Sequence, residues 1–435
     1  MTKVSEEGLI RAIRRWDLVA LTINAIIGAG IFGLPAKVFS LIGSYSLFAF
    51  LACALVVVLI TLCFAEVGSR YSETGGPYLY ARETFGPTIA FEVGWLMWLA
   101  RLTAFAANCN LLVSYLGFFW PSAANSTTRA AVITLVVLVL TAINVVGVRE
   151  AAIFSNIFTI GKLVPIMLFI LTGLFYLRGP AFTFGPLPEA ATFSQSVLLL
   201  VYAFTGFEMA AIPAGEVRNP RLDLPRALLI AIAVVAVLYV FVQIVCIGTL
   251  PGLARSERPL ADAATSFFGG IGGAIISAGA VISITGNLNC IVLSGSRVPF
   301  AMAEQKQLPT ILTKVHRHFF TPYAAILLTT GLMLILTLKS SFVAAVTLSA
   351  IARLVTYAAT CAALPLLRRR SDAPPAMFHI AGGTFIAIAA LVLATWLLLN
   401  STSQEAYQAG IAAIAGLVIY LCYRLATRRK SGVQD

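Results

Sequence analysis

Ile26-Ile27-Gly28-Ala29-Gly30-Ile31-Phe32-Gly33 places three glycines in the middle of an apolar run that extends from Leu18 to Leu34. A glycine in a helix interior costs roughly 1 kcal/mol relative to alanine, and in hydrocarbon an unpaired backbone amide costs several kcal/mol more. A spanning helix that carries both penalties is expected to open there. Where it restarts, several amide N–H groups lack an intrahelical acceptor and lie at the positive end of the new helix dipole, which suits a carboxylate. The competing reading is steric: small residues let two membrane helices approach closely.

The bulk composition sets the surroundings of that stretch. The 435 residues are 59% hydrophobic and 11% charged, with a mean hydropathy of +0.92, outside the range of soluble domains. At about 20 residues per span the length accommodates about twelve helices with short loops. Apolar runs bounded by charge, proline or turn clusters place them at 16–40, 44–69, 88–119, 129–147, 151–176, 193–216, 225–249, 271–303, 322–338, 341–367, 378–399 and 406–426. The net charge of +12 does not form a nucleic-acid patch, because the basic residues lie between the spans. If the N-terminus is cytoplasmic, the internal segments hold twenty-one Lys and Arg and the external loops five, so both termini are expected inside an inner or plasma membrane. The N-terminal Lys3, Arg11, Arg14 and Arg15 precede a retained first span, with no short apolar segment ending in a cleavage site.

The expected fold is thus an all-α polytopic membrane protein of twelve transmembrane helices. The proline- and phenylalanine-rich loop from Arg178 to Thr192 splits it into blocks of five spans, 16–176 and 193–367, followed by two additional helices over 378–426. Residues 1–15 and 427–435 form the cytoplasmic ends. The first span of the second block is also interrupted, at Tyr202-Ala203-Phe204-Thr205-Gly206-Phe207-Glu208. Weakened helices at corresponding positions in two halves point to a binding site at a repeat interface, and because five is odd the second half must be inverted. Carbonyl oxygens at the second break suit an ammonium, so the two breaks together describe an amino acid zwitterion, with discontinuous helices 1 and 6.

Several further residues carry candidate chemistry. Tyr202 and Phe207 flank the second break and are placed to cover a bound solute, or are ordinary core aromatics. Lys162 lies mid-span in Thr159-Ile160-Gly161-Lys162-Leu163-Val164-Pro165, where an ionisable group marks an ion or proton pathway; the structural alternative is an ammonium fixed on carbonyls of a broken helix. Glu208 is assigned either proton exchange or a hydrogen bond to the opened first helix. Glu66, Glu92, Arg101 and Arg353 are read mainly as mutual partners, and Asn108, Ser283, Thr285 and Asn287 as cavity or interhelical polar groups. The seven cysteines read as small buried hydrophobes. The segment Arg70 to Pro87 predicts a short amphipathic helix after Gly75-Gly76-Pro77. With three histidines and no HExxH, GxSxG or Walker pattern, neither an enzyme, a metal site nor a cofactor is expected.

Four stretches resemble one family. Ile27-Gly28-Ala29-Gly30-Ile31-Phe32-Gly33-Leu34-Pro35, Glu73-Thr74-Gly75-Gly76-Pro77-Tyr78-Leu79-Tyr80, Phe204-Thr205-Gly206-Phe207-Glu208 and Glu216-Val217-Arg218-Asn219-Pro220 are similar to signatures of the amino acid-polyamine-organocation (APC) permeases. The resemblance implies a secondary active amino acid transporter with a five-plus-five inverted repeat and two extra helices. By position it implies that the amides of Gly28, Ala29 and Gly30 hold the substrate carboxylate and the carbonyls of Ile26, Tyr202 and Thr205 its amine. It further implies that Tyr202, with Phe204, Phe207 and Asn108, forms the gate and pocket, and that Lys162 occupies the region of a sodium site in related transporters, coupling with Glu208. Ala29 departs from the serine common in the family, so no hydroxyl assists there. Proton symport and exchange both fit, with a neutral amino acid favoured over a cationic amino acid or polyamine because Glu208 is the one clear acidic group near the site. A membrane sensor or a channel is the rival class.

Overall fold

In hydrocarbon every backbone N–H must find its acceptor within the segment or in a closed barrel, and the described residues take the helical solution. The computed structural model describes residues 13–431 apart from Thr74, 148–150 and Pro213, and for 151–161, Ala124 and 426–431 the backbone alone. Within that range no strand forms; a single bridge pairs Ile13 with Val217, tying the entry of the first helix to the loop after the second break.

The helices run α1 Arg15–Ile26, α2 Ala29–Ile42, α3 Ser46–Gly68, α4 Pro77–Phe85, α5 Pro87–Leu116, α6 Ser126–Val146, α7 Ala151–Gly173, α8 Ala190–Phe204, α9 Pro220–Thr249, α10 Pro259–Glu304, α11 Tyr323–Lys339, α12 Phe342–Arg369, α13 Gly383–Leu399 and α14 Ser403–Ser431. Among the described residues eight helical stretches are long and apolar enough to cross a membrane, and three shorter apolar helices accompany them. One of the eight, Ala29–Gly68, is two helices, because the chain reverses at Gly43 with φ 57°. The outer helices leave apolar side chains uncovered: Leu135 and Leu138 on α6, Leu168 and Leu171 on α7, Phe385 and Val392 on α13, Ile414 and Val418 on α14. An uncovered apolar belt of this size belongs in lipid, and the protein is a multi-pass membrane protein.

The inner layer is built on α5, which is buried along most of its length and packs against α10, α11 and α12. Around it α2 lies on α8, α3 on α9, and α1 on α9. The close approach of α2 to α8 depends on Gly30, where a Cβ would stand 2.6 Å from the Ala203 Cα. Glu66, read as a partner for other intramembrane charges, is instead clamped at one end of the bundle. Arg368 donates to it from Nε and Nη2 at 2.7 and 2.6 Å, and the Ile380 N–H at 2.9 Å, joining α3 to α12 and to the segment before α13.

Three boundaries differ from the sequence expectation. The span expected at 225 starts at Pro220, because proline at the first helical position loses no hydrogen bond, and Pro225 rides inside the helix. The span expected at 271 begins at Pro259, and the extra turns bend away at Gly269, whose φ of 65° and ψ of −163° are open to glycine alone. The sixth span does not run to 216 as one helix: α8 stops at Phe204 and continues as 3-10 turns at Phe207–Ala211 and Ala214–Glu216. The amphipathic segment forms as expected, as α4, burying Leu79 and Tyr80 and exposing Arg82 and Glu83.

Candidate binding site

Both expected interruptions are present and face each other. Ile27 is extended and Gly28 non-helical (φ −122°, ψ −149°), so α1 ends and α2 restarts two residues later. No side chain caps the N-terminus of α2, which leaves its first amides available. At the other break Thr205 is extended and Gly206 takes φ 114°, while a Cβ on Gly206 would stand 2.3 Å from the Ala25 carbonyl oxygen. Glycine is therefore required there twice, by its own backbone and by the pressure of α1.

Side chains attend the broken ends. The Lys162 ammonium donates to the carbonyls of Asn24 and Ile27, both at 2.9 Å, and so closes the negative end of α1. The Thr205 hydroxyl donates to the Tyr202 carbonyl at 2.7 Å, and the Tyr239 hydroxyl lies 3.0 Å from the Ala203 carbonyl and 3.4 Å from that of Ile26. A carbonyl has two lone pairs, so Ile26 and Tyr202 each retain acceptor capacity. Across the cavity the Asn287 amide donates to Asn108 Oδ1 at 2.9 Å, and the Asn108 amide donates to the Tyr202 hydroxyl at 2.7 Å.

These groups surround a cavity of about 350 Å³ that extends from the α1–α2 break toward Leu21 and Ile212, on the side where α1 begins. Of the residues singled out in the sequence, Ile26, Gly28, Ala29, Gly30, Asn108, Lys162, Tyr202 and Thr205 line it together. Phe204, Phe207 and Glu208 do not, which corrects the reading of the two rings as pocket walls. Phe204 is buried against Tyr239, and Phe207 against Phe64 and Tyr357. On a helix that stops at residue 204, Tyr202 and Phe204 point to different sides, so one of the two rings must leave the cavity.

Glu208 is also corrected. It makes no bond to the opened first helix: Arg353 on α12 forms an ion pair with it, Tyr357 donates to it at 2.7 Å, and it accepts the Gly206 N–H at 2.9 Å. A buried carboxylate with three donors is held as a charged brace across the break. Sequence reasoning had no reason to place Asn24, Met209, Cys290 or Ser294 at the cavity, and all four line it. Ser294 and Cys290 carried a faint signal, because they follow Asn287 at helical spacing on the same face of α10. Cys290 is exposed to the cavity and Cys422 to the surroundings, so the reading of all seven cysteines as buried fails for these two.

The comparisons with known proteins agree with this architecture. A family model described as "Amino acid permease" matches residues 13–420. The serine/threonine exchanger SteT of Bacillus subtilis is 30% identical over 98% of this chain and 99% of its own. The branched-chain amino acid permease BcaP of the same organism is 28% identical over 96% of this chain and 94% of its own. A methylthioribose transporter, again from Bacillus subtilis, is 31% identical over 73% of this chain and 72% of its own. The chain belongs to the amino acid permease family, within the APC group that its four motifs resemble.

Proposed function

We propose that this protein is a secondary carrier that moves an amino acid across the cell membrane by alternating access, with both termini in the cytoplasm. The observation that carries the reading is the meeting of two opposite broken helix ends at one cavity. The uncapped amides of Gly28, Ala29 and Gly30 receive the carboxylate, and the carbonyls of Ile26, Tyr202 and Thr205 receive the ammonium. Tyr202, tethered by Asn108, gates the cavity. Two relatives with amino acids in their names, SteT and BcaP, support the substrate class.

The packing supports an inverted five-plus-five repeat. Counting α2 and α3 apart and adding the three shorter apolar helices to the eight long stretches brings the spans to twelve. Exchanging the two blocks maps the α5–α12 packing onto α10–α7 and the α5–α11 packing onto α10–α6, and all four are present. Lys162 serves as the clamp on α1 and, in this reading, as the group through which protons or the exchanged substrate are coupled. Cationic amino acids and polyamines are disfavoured, because the carboxylate expected to receive them, Glu208, is held by Arg353.

Purified protein in proteoliposomes tests the proposal. Saturable uptake of labelled amino acids is expected, accelerated by internal amino acid if exchange operates or by an inward proton gradient if symport does. Unsaturable uptake that is equal for all solutes would sink it in favour of a channel, and saturable binding without uptake in favour of a sensor.

A further inference from the structure

The cavity holds a charge that the common part of an amino acid does not use. Arg101, Lys162 and Arg353 line it, and among the described residues no Asp or Glu does. Glu208, set behind the wall, compensates Arg353, and the Lys162 ammonium rests on two carbonyls. Arg101 has no such arrangement. It is 5% exposed, and among the described residues no carboxylate comes within 4.0 Å of it. It donates to the Ser294 hydroxyl at 3.0 Å and to the Met209 sulfur, a weak acceptor, out of five N–H donors arranged to receive a carboxylate in two-point fashion. Burying a guanidinium without a counter-ion is costly, and the site is relieved when an anion arrives.

Position says which anion fits. On α5 and α10 two facing pairs recur, Asn108 with Asn287 and Arg101 with Ser294. Each member is seven residues from its fellow on the same helix, roughly 10 Å along the axis and on the same face. The asparagine pair stands beside the break: a Cβ on Gly28 would come 2.5 Å from Asn287 Nδ2. The amides of α2 and the Arg101 guanidinium thus occupy the two ends of one cavity, and the arginine side chain bridges part of the distance.

Building on the carrier reading, we infer that the substrate is an amino acid with an anionic side chain, and that Arg101 is the residue that selects it. The α-carboxylate binds at the α2 amides, and the side-chain carboxylate pairs with Arg101, assisted by Ser294. A neutral side chain leaves the guanidinium uncompensated, and a cationic one is repelled by three positive groups. The expectation of a neutral substrate is revised on this ground.

The test is uptake of labelled glutamate and of labelled glutamine, its neutral isostere, into proteoliposomes, with aspartate, 2-aminoadipate and lysine as competitors and with chloride replaced by gluconate in a parallel series. Glutamate is expected to exceed glutamine in kcat/KM at least tenfold, with lysine not competing. In Arg101→Gln that ratio is expected to fall at least tenfold. Ser294→Asp, which supplies an internal counter-ion without removing the arginine, should lower it likewise and stands in should Arg101→Gln fail to fold. Saturable glutamine uptake with no glutamate preference overturns this inference and leaves the carrier reading intact. So does a ratio unchanged in both variants, or neutral uptake that depends on chloride with no recognition of glutamate. Absence of saturable uptake for any amino acid overturns both.

Discussion

Lys162 reaches the break from a helix far away in sequence and meets two carbonyls that α1 cannot satisfy for itself. The sequence showed an ammonium at membrane depth, but its partners, Asn24 and Ile27, are backbone oxygens that no side-chain pattern reveals. Removing the ammonium leaves them without donors, and an unsatisfied buried carbonyl costs roughly 1–3 kcal/mol. Lys162→Ala is therefore expected to lower the melting temperature in detergent and to cut transport strongly. If the lysine also couples, uptake by that variant should lose its dependence on external pH. A pH profile of unchanged shape would leave it a structural clamp. Glu208 shows the same limit: its position was legible, but its ion pair with Arg353 was not, because those residues are 145 apart in the chain.

Between elements, the glycines divide by what they face. Gly30 lines the cavity and also seats α2 on Ala203, so the binding and the close-packing readings hold at once, and a larger residue there cannot separate them. Gly206 is the sharper probe of the break itself. Gly206→Ala sets a Cβ against the Ala25 carbonyl at a φ that L-residues rarely adopt, a strain of roughly 1–3 kcal/mol before any clash is counted. It should lower the melting temperature and abolish transport. Gly28→Ala should fold, because its obstacle is the Asn287 side-chain amide, which can swing aside. Equal stability of the two variants, read from thermal unfolding in the same detergent, would contradict the geometry at Gly206. Both breaks were legible as glycine in an apolar run. The 3-10 continuation after Gly206 was not, because it follows from Glu208 taking the Gly206 amide and from Arg353 holding Glu208 in place.

For the molecule as a whole, the cavity extends from the break toward Leu21 and Ile212, while on the opposite side α2 packs on α8 and the Tyr115 hydroxyl donates to the Phe32 carbonyl at 2.8 Å. Cys290 lines this cavity, whereas Cys53, Cys63, Cys109, Cys246 and Cys361 are buried. A membrane-impermeant maleimide should therefore modify Cys290 from the side on which α1 begins, with bound substrate slowing the reaction. Equal labelling from both sides, or no protection by any transported amino acid, would contradict a one-sided cavity that closes on substrate. Mass spectrometry of the labelled peptide separates Cys290 from the exposed Cys422.

The sequence by itself determined the membrane class, the family motifs, the two breaks and the residues whose backbones frame them. Those properties are local: apolar length, glycine in a helix and charge between spans act through a few neighbouring residues. Tertiary structure decided which side chains face the cavity, that Glu208 is neutralised and that Arg101 is left over. Such outcomes depend on how α5, α10 and α12 are rotated and packed against the breaks, because a buried charge is set by its partners in space.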